Sequence, residues 1–172
     1  LDVAKSKQLL AEAGYPNGVD VNLMVIARQP EQRIGELVKQ MWDTAGLRTN
    51  LDVMERLASI DRAVSKNFQA YYWAQSSNPD PDIQSRTITC GQPTNYGNYC
   101  NPELDKCMAD GRSVYDNNER QKIYERCLRI IQEDAIVGAG YFVPYNRVFN
   151  KSVKGLTVHW GETDLRTAWL DK

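Results

Sequence analysis

The sequence predicts an α/β fold, a sheet flanked by helices, and three observations carry that prediction. Up to Trp73, stretches with helical apolar spacing alternate with short stretches rich in branched and aromatic side chains, in the order strand, helix, strand, helix, strand. The last of these strands breaks into prolines and small polar residues, as an α/β strand does where it presents a ligand surface. The chain has 172 residues, 42% hydrophobic and 25% charged, which suits one domain with a substantial core.

Asp2 can cap a first helix, Val3 to Ala13, with Gly14 as its left-handed stop and Pro16 beyond. Val19 to Ile26 reads as a strand, ending in Arg28-Gln29-Pro30. Ile34, Leu37, Val38, Met41 and Ala45 recur at helical spacing and predict one buried face, closed by Gly46. Leu47, Thr49, Leu51 and Val53 alternate with Arg48, Asn50 and Asp52, a strand with one wetter face. Leu57, Ile60 and Val64 mark a short helix ending near Asn67. The strand Phe68 to Trp73 follows, with Tyr71 and Tyr72 read as core and Trp73, at its end, as a pocket residue.

Gln75, Ser76, Ser77 and Asn78 then offer uncharged donors and acceptors, and Pro79-Asp80-Pro81-Asp82 cannot extend a strand. The two aspartates read as a Pro-Asp turn rather than as paired catalytic carboxylates or a calcium loop. A polar loop lies between Cys90 and Cys100. Asn101 caps the next helix with Pro102 in its first position, and Leu104, Cys107, Met108 and Gly111 share a face. Asp116 and Glu119 form a capping-box variant ahead of a helix with Ile123, Cys127, Ile130 and Ile131 on one side. The apolar run from Ile136 to Val143 predicts a central strand closed by Pro144, and residues 151–172 a short strand and turn.

Several classes are disfavoured by the same residues. A net charge of −1, from 21 basic and 22 acidic side chains with no basic stripe, argues against a nucleic-acid surface. No apolar run approaches the length of a membrane span. The chain opens on a helix-like pattern, without the basic and apolar regions of a signal peptide. The four cysteines form no CxxC pair and His159, the one histidine, is remote, so neither a metal site nor a cofactor is expected. Their even number permits disulfides in an oxidising compartment. No dinucleotide or phosphate-loop glycine pattern is present. A small extracellular hydrolase using His159 with a serine or cysteine is the competing reading, though no nucleophile elbow accompanies it.

The order of short motifs carries more. Leu9-Leu10-Ala11-Glu12-Ala13-Gly14-Tyr15-Pro16-Asn17-Gly18 is followed by Tyr72-Trp73 with Pro79-Asp80-Pro81-Asp82, then Asn95-Tyr96, Asn101-Pro102-Glu103-Leu104-Asp105 and Val153-Lys154-Gly155-Leu156. In this order they resemble the extracytoplasmic solute-binding proteins of peptide- and nickel-type ABC importers (family 5), over essentially the whole chain. The resemblance implies one lobe, the C-terminal one, of a bilobal periplasmic-binding-protein-like fold (type II) with a mixed sheet. It also implies a chain that starts inside a longer protein whose N-terminal lobe is absent here. The implied function is non-catalytic capture of a solute for an ABC permease: a peptide, opine, oligosaccharide or metal chelate held between two closing lobes in the periplasm or extracytoplasmic space. Contact with a membrane would come only through the permease or an anchor outside this chain.

Residue by residue, the resemblance implies that Trp73, Gln75, Ser76, Ser77 and Asn78 line the cleft, and that Arg28 can meet a ligand carboxylate. Peptide-binding members carry an ammonium-binding aspartate at the position of Ser76, so the charge-assisted contact is missing here. Dipeptide-type members also carry a disulfide across the loop from Cys90 to Cys100. Cys107 and Cys127, on the apolar faces of consecutive helices, fit either a bond or two small core thiols.

Overall fold

The structure, a computed structural model, describes residues 1–74, 80–138, 140, 146–159 (of His159, the backbone) and 162–171. It divides into two compact units, one of Leu1–Ser76 with Arg86–Asp105 and one of Ser77–Ser85 with Lys106–Lys172.

The first unit contains the sheet. Helix α1 (Val3–Glu12) starts where the Asp2 side chain accepts the Lys5 amide, and Gly14 follows its end at φ +91°. Strand β1 (Asp20–Ile26) lies between β2 (Arg48–Met54) and β3 (Ala70–Tyr71), all parallel, in the order β2-β1-β3. β1 and β2 pair from Asp20 with Arg48 to Ile26 with Met54, and Arg48 bonds the carboxylate of Asp20 at 2.7 Å. Helices α2 (Glu31–Ala45) and α3 (Arg56–Val64) make the two crossovers. Gly46 ends α2 at φ +107°, where its amide and that of Leu47 close back on the Asp43 and Trp42 carbonyls.

The helices bury only part of the faces that the apolar spacing predicts: on α2, Ala45 is buried and Ile34 and Val38 are half-buried. On α2 the buried residues are Glu31, Gly35 and Ala45, while Leu37 is 52% exposed and Met41 is also exposed. On α3 they are Ser59 and Ala63, while Leu57 is 76% exposed and Val64 is exposed too. The reason is distance. A β-carbon on Gly35 would stand 2.7 Å from Val25 Cγ1 and 3.0 Å from Leu51 Cδ1, so α2 rides too close to the sheet for a large side chain there. β3 is also shorter than Phe68 to Trp73. The Asn22 amide of β1, which would meet it earlier, donates instead to the Gln69 side chain at 2.7 Å.

Asp80, in the second unit, caps a single 3-10 turn, Pro81–Gln84, followed by α4 (Ser85–Ile88), whose residues after Ser85 belong to the first unit, as do the residues of the next helix up to Asp105. Helix α5 (Pro102–Ser113) buries Leu104, Cys107, Met108 and Gly111, as its spacing predicts. Helix α6 (Asn117–Glu133) is capped by Asp116, which accepts the amides of Asn118 and Glu119. It buries Tyr124, Cys127 and Ile130, and a β-carbon on Gly111 would strike the Tyr124 ring at 2.7 Å. β4 (Val153–Lys154) pairs with β7 (Trp169–Leu170), and β5 (Thr157–His159) with β6 (Glu162–Asp164), both antiparallel. Of the apolar run from Ile136 to Val143, the described residues 136–138 and 140 lie in no strand, and the rest fall outside the described residues. Two glycines in that short run, Gly138 and Gly140, leave little to pack in a ladder.

Candidate functional site

Because the sheet is parallel, the carboxyl ends of β1 and β3 come out side by side. The Tyr72 amide donates to the Met24 carbonyl at 2.9 Å, which carries the pairing one step past β3. Arg28 therefore follows the central strand, and Trp73 its neighbour, at one edge of the sheet. The connections lead first to one side of β1 and then across it to the other, in the order β2-β1-β3, and such switch points are where open α/β sheets hold ligands.

Arg28 does not stand alone there. Its guanidinium donates to Glu31 Oε1, a carboxylate in the first turn of α2 that is 3% exposed although Arg28 itself is largely exposed. The bond raises the arginine's pKa and holds the Glu31 carboxyl below its ordinary value against the opposing effect of burial. The helix N-terminus favours the same negative charge. Glu31 Oε2 is buried with no hydrogen-bond partner among the described residues. Sequence reasoning passed over Glu31. The available signal was an acidic residue directly after Pro30, in the opening turn of a helix.

Trp73 is 39% exposed and belongs to a row of edge-to-face rings. Phe68 and Tyr71 have centroids 5.9 Å apart, Tyr71 and Trp73 5.3 Å, and Trp73 and Tyr96 6.2 Å. Tyr71 and Tyr72, expected as core, are half-buried. The Tyr71 hydroxyl lies 3.1 Å from Ser59 Oγ, and partial burial pushes its pKa up. Tyr96 belongs to the loop that Cys90 and Cys100 close with a disulfide of 2.10 Å. Cys107 and Cys127 form a second disulfide, between α5 and α6.

Asp80 and Asp82 form the expected turn, but their carboxylates are engaged. Arg120 reaches Asp80 at 2.7 Å, and Arg112 grips Asp82 through two nitrogens at 2.9 and 3.0 Å. The Arg120 bond, with the Asp82 amide, holds the Asp80 carboxyl below its ordinary range. These arginines lie 30 and 40 residues away in sequence, beyond any local pattern. Gln75, Ser76, Ser77 and Asn78 lie outside the described residues, as does the side chain of His159. Among the described residues no group of three or more His, Cys, Asp or Glu side chains could hold a metal ion.

The family described as bacterial extracellular solute-binding proteins, family 5 Middle, matches residues 1–97 of the chain. The chain belongs to this family. Heme-binding protein A of Haemophilus influenzae is 29% identical over 143 residues, 78% of this chain and 26% of its own length. The dipeptide-binding protein of Escherichia coli is 25% identical over 170 residues, 91% of this chain and 31% of its own. The solved structure of HbpA2 from Haemophilus parasuis superposes with a TM-score of 0.74 at 25% identity, covering 97% of this chain and 35% of that one. The chain thus spans between a quarter and a third of the curated relatives' length.

These relatives are solute-binding proteins, and the α/β fold with its parallel sheet is the one they share. Family 5 proteins work outside the cytoplasm, in the periplasm or its extracytoplasmic equivalent, where disulfides persist. Among the described residues no helix is long and apolar enough to cross a membrane.

Proposed function

We propose that this chain forms one lobe of a two-lobed solute-binding protein, and that its sheet edge at Arg28 and Trp73 is one wall of the ligand cleft. The protein captures its solute without chemistry, by closure of the second lobe over it, and delivers it to an ABC permease. The observation that carries this reading is the family match, joined to an exposed tryptophan at a sheet switch point. One wall alone binds weakly, because half of the contacts and the exclusion of water come from the other lobe.

The ligand we propose lacks a free α-ammonium at the Ser76 subsite. Serine supplies no charge, and an ammonium buried without a carboxylate partner keeps its desolvation cost. Asp80, the nearest carboxylate in sequence past that position, is already held by Arg120. Blocked peptides, opine-like solutes, oligosaccharides or a chelate fit better, and the heme and dipeptide named for the relatives mark the range of the family. Calorimetry on the longer two-lobed protein tests this, with free dipeptides beside N-acetylated dipeptides and neutral sugars. Blocked or neutral ligands are expected to bind at least as tightly as free dipeptides. Submicromolar binding of free dipeptides that N-acetylation abolishes would overturn the proposal.

A further inference from the structure

The geometry points to Tyr96 as a ligand-contacting residue that completes, with Trp73, a two-ring corner for a flat apolar group of the solute. This rests on the reading of the sheet edge as a cleft wall. The two rings meet at 71° with centroids 6.2 Å apart, so they form a corner rather than a stack. Tyr71 and Phe68 continue the row behind Trp73 and back the corner with more apolar surface. Trp73 is 39% exposed and Tyr96 half-buried, so both rings keep surface that a ligand can meet. One ring face beside one ring edge is the surroundings a third ring prefers, since its own edges and faces carry the opposite partial charges.

Tyr96 is also held in place before any ligand arrives. Its neighbour Asn95 is 4% exposed, and its side-chain amide donates to the Thr89 carbonyl at 2.8 Å and the Tyr99 carbonyl at 2.6 Å. Its side-chain oxygen accepts the Tyr99 amide at 3.2 Å. The Cys90–Cys100 bond closes the same loop, Lys66 bonds Asn98, and the Thr94 hydroxyl bonds the Arg86 carbonyl at 2.7 Å. A loop fixed this many ways loses little further entropy when a ligand lies against it. Asn95 is thus a positioning residue and Tyr96 the contact residue.

The test uses this chain with fluorotryptophan incorporated, the Trp73 fluorine signal being assigned by Trp73→Phe. Titration with N-acetylphenylalaninamide is expected to shift that signal saturably in the millimolar range that a small ligand on one wall allows. N-acetylglycinamide, which lacks the ring, is expected to bind about fivefold more weakly. Tyr96→Ala should erase that difference with an unchanged melting temperature, Tyr96→Phe should keep it, and Asn95→Ala should reduce it. Equal response to the two probes, no saturable response to either, or a Tyr96→Ala variant that still discriminates would overturn the assignment. The Tyr96 variants decide the matter even if Asn95→Ala fails to fold. The probes read this edge without the second lobe. Failed capture by the longer protein would therefore sink the proposed function and leave the corner standing, and flat titrations would do the reverse.

Discussion

Glu31 and Arg28 show how a single side-chain pair can set both the geometry and the pH response of a sheet edge. The carboxylate is buried and the guanidinium largely exposed, and the bond between them keeps Arg28 beside the start of α2. The Glu31 carboxyl titrates lower in the folded chain than in the unfolded one. Its contribution is therefore fully present above the ordinary glutamate value of about 4.3, and fades as the pH falls through the lower folded value. Glu31→Gln is expected to destabilise the chain at neutral pH by on the order of 1 kcal/mol, allowing for solvent around the arginine. The gap in melting temperature between variant and wild type should narrow in acid. A gap that stays constant down to the acid limit of folding would contradict this. The residue also limits what Arg28 can do for a ligand carboxylate, since one arm of its fork is occupied.

At the scale of the element, the helices separate what sequence can tell from what it cannot. Caps and stops are local, so Asp2, Gly14, Gly46 and Asp116 bound their helices as expected. The faces of α2 and α3 are not local. Apolar spacing finds the most hydrophobic stripe, whereas close contact with a sheet selects the smallest residues, here Gly35, Ser59 and Ala63. Two substitutions on α2 separate these criteria by urea denaturation. Gly35→Val, driven against Val25, is expected to destabilise by about 2 kcal/mol. Leu37→Lys, at an exposed position that spacing assigns to the core, is expected to stay within about 0.5 kcal/mol of wild type. A larger loss at Leu37 than at Gly35 would restore the stripe to the core. The site follows the same division. The exposure of Trp73 and the turn at Pro81 were legible, because a strand end and two prolines are local signals, whereas a ligand contact at Trp73 stays a proposal. Glu31, Tyr96, Arg112 and Arg120 were not, because each acquires its role from a partner brought in by the fold.

On the scale of the whole molecule, the two disulfides fall one in each compact unit. The sequence separations are 10 and 20 residues, and the chain-entropy account assigns such rings about 2.7 and 3.3 kcal/mol respectively. Replacing Cys107 and Cys127 together by alanine is expected to lower the urea midpoint by the equivalent of about 3 kcal/mol, with the helix content of α5 and α6 retained. An unchanged midpoint would show that packing around Met108 and Tyr124 holds those helices without the crosslink.

The pairing has a consequence for how the chain matures. Four cysteines admit three pairings, and this chain joins the first to the second and the third to the fourth. A polypeptide translocated from its N-terminus presents its thiols in that same order. An oxidant that links each thiol to the next one to emerge therefore makes both native bonds directly, whereas an interleaved set would depend on later reshuffling by an isomerase.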